Sequence, residues 1–126
     1  MSKIERFEDI EVWQKARKLN HIVYVDIAKV LDKNKEFSLS DQIKRASVSI
    51  MANIAEGFAR KSNKEFSRFL YISHASAAEL QSHLYSALDI GLIKKDVFDK
   101  AYVSIDEVSK MLSCFIKYLD GETLKT

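Results

Sequence analysis

Three histidines, one cysteine and a run of clustered cations are the side chains that could do chemistry in this 126-residue chain. A metal centre needs ligands that converge on one point. His74 and His83 are separated by nine positions, which at ~100° per residue sends them to opposite sides of one helix. His21 belongs to a different segment. A carboxylate-bridged di-metal bundle requires Glu-x-x-His on two helices and two further glutamates; the nearest approach, Glu79 with His83, is spaced by four. The histidines therefore read as solvated or hydrogen-bonded, and no metal is expected. Cys114 falls between Leu112 and Phe115, in what reads as the apolar seam of a helix, where a thiol behaves as a small hydrophobe rather than a nucleophile. Gly57, Gly91 and Gly121 lie too far apart for their backbone N–H groups to cradle a phosphate. With no paired acid and base in view, the chain reads as no enzyme and as needing no cofactor.

Charge is more informative. The chain as a whole carries a net charge of only +2, too slight for a polybasic protein. Between Ser38 and Leu70, however, six bases (Lys44, Arg45, Arg60, Lys61, Lys64, Arg68) stand against three acids (Asp41, Glu56, Glu65), whereas residues 71–93 hold no Lys or Arg. Phe58, Phe66 and Tyr71 lie near the same corner. Cations beside aromatics suit phosphate-backbone binding and base stacking; they equally suit compensation of helix dipoles beside core rings.

A second pattern runs along the same segment. Gln42, Arg45, Ser49, Asn53, Glu56 and Arg60 recur at steps of three and four, a polar stripe on one helix face. Short amides and hydroxyls next to Ala46, Ala52 and Ala55 favour a close-packed, hydrogen-bonded contact, with another helix or another subunit, over a solvated face. On this reading, replacing Asn53 and Glu56 by Leu disturbs packing or assembly and strands Arg45.

The elements that must position these residues are helices. No proline and three glycines leave little material for the turns of a β-sandwich or barrel, and 126 residues amount to one domain, residues 1–126. Val12, Ala16, Leu19, Val23, Ile27 and Val30 mark helix 1 over residues 9–31. Ser38, followed by Asp41, predicts the N-cap of helix 2, whose core stripe is Leu39, Ile43, Ala46, Ile50 and Ile54 and whose end is weakened by Gly57. Ser62 and Glu65 form a capping box that opens helix 3, and Gly91 predicts its left-handed C-cap. Helix 4 carries Phe98, Ala101, Ile105, Val108, Leu112, Phe115 and Leu119 until Gly121 stops it. Short links between four such helices predict an all-α, antiparallel up-down-up-down four-helix bundle, with Trp13 packed against a neighbouring helix. No apolar run is long enough to span a membrane, and residues 1–11 have no apolar signal core; a soluble cytoplasmic protein is expected.

The segment Phe7-Glu8-Asp9-Ile10-Glu11-Val12-Trp13, the run Ala52-Asn53-Ile54-Ala55-Glu56-Gly57 and the run Glu65-Phe66-Ser67-Arg68-Phe69-Leu70 resemble the bacterial four-helix bundle proteins encoded in intervening sequences of 23S ribosomal RNA genes. The likeness covers nearly the whole chain, although Met51 stands where that family commonly has proline. It implies the same bundle, a homo-oligomer of five copies, and a similarity to the accessory protein of diversity-generating retroelements, which partners a reverse transcriptase and nucleic acid. It implies no enzymatic activity. The functional expectation is a non-catalytic oligomer that binds RNA or DNA through the basic corner; the alternative is a scaffold whose groove receives a helix or tail of a protein partner.

Overall fold

The computed structural model describes residues 4–125. A 3₁₀ turn, Phe7–Asp9, precedes α1 (residues 11–33); α2 is Phe37–Ala59, α3 Asn63–Asp89 and α4 Lys95–Lys125. Links of three to five residues force each helix to fold back on the one before it. Side-chain bonds fix the registers: Ser73 of α3 donates to the Ile50 carbonyl of α2 at 2.8 Å, Ser67 of α3 donates to Asp120 of α4, and Lys15 of α1 reaches Glu107 of α4 at 2.8 Å. The result is a four-helix bundle in which α1 closes against α4, with Leu19, Ile27, Ile50, Leu70, Leu84, Ile105 and Leu112 fully buried along its axis. Burying each such side chain contributes about 1.5–3 kcal/mol.

Helix periodicity placed these faces, and the departures from it have physical causes. Six residues of α1, Val23–Ala28, are wound as π-helix. The wider turn slips the phase of the helix by about one residue, so Leu31 enters the core while Val30, assigned there by the regular period, is only half-buried. Ser38 is not a cap. Lys35 at φ 62° closes α1 in a Schellman motif, with Lys35 N–H donating to the Asp32 carbonyl at 3.0 Å and Glu36 N–H to that of Leu31 at 2.8 Å. α2 then starts at Phe37 with Glu36 as its N-cap, two residues too early for Ser38 to cap it. α2 continues unbroken through Met51 and Gly57 to Ala59.

Ser62 does cap α3, its hydroxyl accepting from Glu65 N–H at 3.3 Å, but the box is half-made, because the Glu65 carboxylate turns to Arg68. Gly91, at φ 77°, ends α3 in a second Schellman motif: Gly91 N–H donates to the Leu88 carbonyl at 3.0 Å and Leu92 N–H to that of Ala87 at 3.3 Å. Gly121 does not end α4. One glycine costs about 1 kcal/mol of helix propensity, and this turn is pinned to α3 by the Ser67 and Tyr71 hydroxyls that donate to Asp120. Trp13 is half-buried against the core and meets the edge of Phe7 at 5.0 Å between ring centroids. Cys114 is exposed rather than in the seam; the buried stripe passes through Leu112, Ile116 and Leu119, and Phe115 is only half-buried.

Candidate nucleic-acid interface

The turn from α2 to α3 gathers four of the six cations. Arg60 caps α2, Lys61 follows in the left-handed region at φ 60°, and Lys64 and Arg68 occupy the first turns of α3. Arg60 and Arg68 both pack over the ring of Phe69, 4.9 and 5.0 Å from its centroid. Phe69 is buried, so the two guanidinium groups form its cover. Each also has a carboxylate: Arg60 Nη2 donates to Glu56 Oε1 at 3.1 Å, and Arg68 forks onto Glu65 at 3.1 and 3.3 Å. Arg68 beside it holds the Glu65 carboxyl below the usual range, and Glu65 in turn raises Arg68. Exposed pairs of this kind contribute little to stability. Lys61 sits 5.1 Å above Phe58. Neither Lys61 nor Lys64 has an ion-pair partner among the described residues.

Lys44 and Arg45 do not join this group. They precede Arg60 by some four helical turns, about 24 Å at 1.5 Å per residue, and are committed locally: Lys44 to Asp32 at 3.0 Å and to the Tyr24 ring at 5.7 Å, Arg45 to Asp41 at 3.0 Å.

The polar stripe resolves into separate parts. Ser49 shares a 2.8 Å hydrogen bond with Ser76 of α3, and Asn53 donates to the Ser49 carbonyl at 2.8 Å and to its hydroxyl at 3.0 Å. That centre is a contact between α2 and α3 of one chain. Gln42, Arg45 and Glu56 are exposed. Since Glu56 pairs with Arg60 and Arg45 with Asp41, replacing Asn53 and Glu56 leaves Arg45 with its partner, contrary to the expectation from spacing.

Beside the cation turn lies a feature that the sequence did not announce. The second half of α4 extends past the start of α1, and the gap between them forms an open groove of about 1130 Å³. Ile10, Phe58, Phe66, Met111, Phe115 and Tyr118 contribute its walls, with Lys61, Lys110 and Glu11 on the rim. Helical periods mark which face is apolar, not where one helix outruns its neighbour. Elsewhere, His74 Nε2 bonds the Ser109 hydroxyl at 3.0 Å and His83 lies 3.9 Å from Glu79; no group of three His, Cys, Asp or Glu among the described residues is placed to hold a metal ion. No helix among those residues is long and apolar enough to cross a membrane.

The family model of the 23S rRNA-intervening sequence protein matches residues 8–114. The chain belongs to this family. The match takes in α1, α2, α3 and most of α4, and with them the whole α2–α3 turn. A crystal structure from Bacteroides thetaiotaomicron, of a protein with unknown function from the S23 ribosomal protein family, is similar at a TM-score of 0.79 and 29% identity, covering 84% of this chain and 98% of that one. Among curated proteins none matches. The name of the intervening-sequence family reports where its genes lie and carries no activity.

Proposed function

We propose that this intervening-sequence family protein is a non-catalytic binding protein that engages the phosphate backbone of RNA or DNA through Arg60, Lys61, Lys64 and Arg68. One observation carries the reading: four cations share one exposed turn, two of them without carboxylate partners among the described residues. Lys61 adds weight, because it holds a left-handed conformation that costs a non-glycine residue about 1–2 kcal/mol and that Gly91 fills at the end of α3. A single copy offers a modest charge excess. Self-association, with five copies the number the family likeness implies, repeats the turn into a wide basic surface; light scattering that returned a 14.5 kDa particle at micromolar concentration would remove that part of the proposal. Lys44 and Arg45 then serve a separate surface of the oligomer.

The test is a salt titration of RNA binding followed by fluorescence anisotropy. Replacing Arg60, Lys61 and Lys64 together by Ala lowers the slope of log K against log salt by about 0.7–0.9 for each phosphate that the variant no longer neutralises. Lys61→Gly alone removes one cation and relieves backbone strain, so its fold is secure. A folded triple variant that binds like the parent across the titration overturns the reading. The groove supports a second one, since its apolar walls suit an amphipathic helix of a protein partner. Binding that is strong and indifferent to salt favours that alternative.

A further inference from the structure

A small pocket opens on the seam between α3 and α4, lined by Tyr71, His74, Ser113, Ile116 and Lys117 and about 220 Å³ in volume. That is below the ~300–1,000 Å³ of sites for drug-sized molecules and suits one flat ring system. Tyr71 is 57% exposed, so its ring offers a free face at the rim, and its hydroxyl is tethered to Asp120 at 3.4 Å. His74 is fixed in place by Ser109 at 3.0 Å. The Asp120 carboxylate accepts from the Ser67 and Tyr71 hydroxyls. Lys117 has no ion-pair partner among the described residues.

We infer that this pocket receives one unpaired nucleobase of a single strand whose phosphates lie on the α2–α3 turn. The inference rests on the nucleic-acid reading above. Every base has a π-face that stacks on an aromatic side chain, and the exposed Tyr71 ring supplies the stacking partner. His74 and Ser113 supply polar groups for the base edge, Ile116 an apolar contact, and Lys117 a cation for the adjoining phosphate. Lys64, Arg68 and Tyr71 recur at steps of four and three and so share one face of α3. From Lys64 to Tyr71 is about 10 Å along the helix, roughly three nucleotides at the ~3.4 Å rise of a stacked strand. A strand lying along α3 therefore meets cations first and the pocket next. A duplex presents no unstacked base and gains only the cation interactions.

The experiment compares a 12-nucleotide oligouridylate with an abasic strand of equal length and charge on the full chain. The parent binds the oligouridylate about tenfold more tightly than the abasic strand. Tyr71→Ala loses about tenfold for oligouridylate, nothing for the abasic strand, and keeps the salt slope; Tyr71→Trp retains the preference, and melting curves confirm that the variants fold. A parent that binds both strands equally, or a Tyr71→Ala variant that loses nothing, overturns the pocket and leaves the phosphate reading standing. A parent that binds neither strand at low salt overturns both.

Discussion

Gly57 lets α2 and α3 approach more closely than any other residue would, and replacing it by Ala tests that closeness directly. A Cβ at position 57 would lie 2.7 Å from Phe69 Cβ, 3.0 Å from Phe66 Cδ1 and 3.3 Å from the Phe66 carbonyl oxygen. The first of these atoms is the root of a buried side chain and can move only with α3. Two terms oppose each other. Helix propensity favours Ala over Gly by about 1 kcal/mol, while overpacking a close contact costs about 1–3 kcal/mol; with 2.7 Å to a backbone-anchored atom, the cost belongs at the upper end. The net expectation is a loss of about 1–2 kcal/mol, a fall in Tm of roughly 3–8 °C for a chain of this size. Gly121→Ala is the internal control, because nothing lies within 4 Å of its added Cβ and it too is helical; there only the propensity gain remains, about 0.5–1 kcal/mol. Urea unfolding of both variants reads the difference. If Gly57→Ala stabilises as much as Gly121→Ala, the close approach of α2 to α3 at this level is refuted.

Ser73→Ala removes the fully buried hydroxyl that donates to the Ile50 carbonyl and costs about 1 kcal/mol in urea unfolding; Ser82→Ala, on an exposed position of the same helix, changes stability by less. The Ser40 hydroxyl and Lys44 hold the Asp32 carboxyl below its ordinary value of 3.8, so its contribution is fully present above that value and fades as pH falls through the lower folded one. Melts between pH 6 and pH 2 therefore show a steeper acid loss for the parent than for Asp32→Asn. Cys114 is exposed and reacts stoichiometrically with a thiol reagent in the native protein; protection lifted only by denaturant would contradict its placement.

The core of the bundle was legible because spacing alone dictates it: Leu19, Ile43, Ile54, Leu80 and Ile105 are apolar at helical steps and are all fully buried. Schellman closure by Gly91 was legible for the same local reason, since a glycine ends a periodic run there. Ends set by non-glycine residues were not, and Lys35 and Lys61 show why: both take positive φ with a residue type that gives no such signal, which moved the start of α2 and gave the α2–α3 turn its geometry. Gly121 read as a stop and is not one, its turn being held by Asp120; Gly57 read as a weak point near the end of its helix, and the structure adds that it serves a tertiary contact. Cys114 could have been placed better from spacing alone, because two residues after Leu112 is ~200° around the helix, away from the stripe. At the candidate site, the grouping of Arg60, Lys61, Lys64 and Arg68 follows from adjacency in the chain. The separation of Lys44 and Arg45 follows from the rise of a helix. The groove depends on the relative lengths of α1 and α4, and the pocket on which residues of α3 and α4 meet, both set by packing.

The π-wound stretch Val23–Ala28 makes α1 a helix with a spare residue. Deleting one position inside it would restore ordinary winding and remove the phase slip together with the extra residue, leaving both Glu11–Ile22 and the final segment in register, with Leu31 still presented to the axis. Such a helix tolerates a change of length that a uniform α-helix in the same place would answer by misaligning half its face, and relatives one residue shorter between Val23 and Ala28 are architecturally admissible.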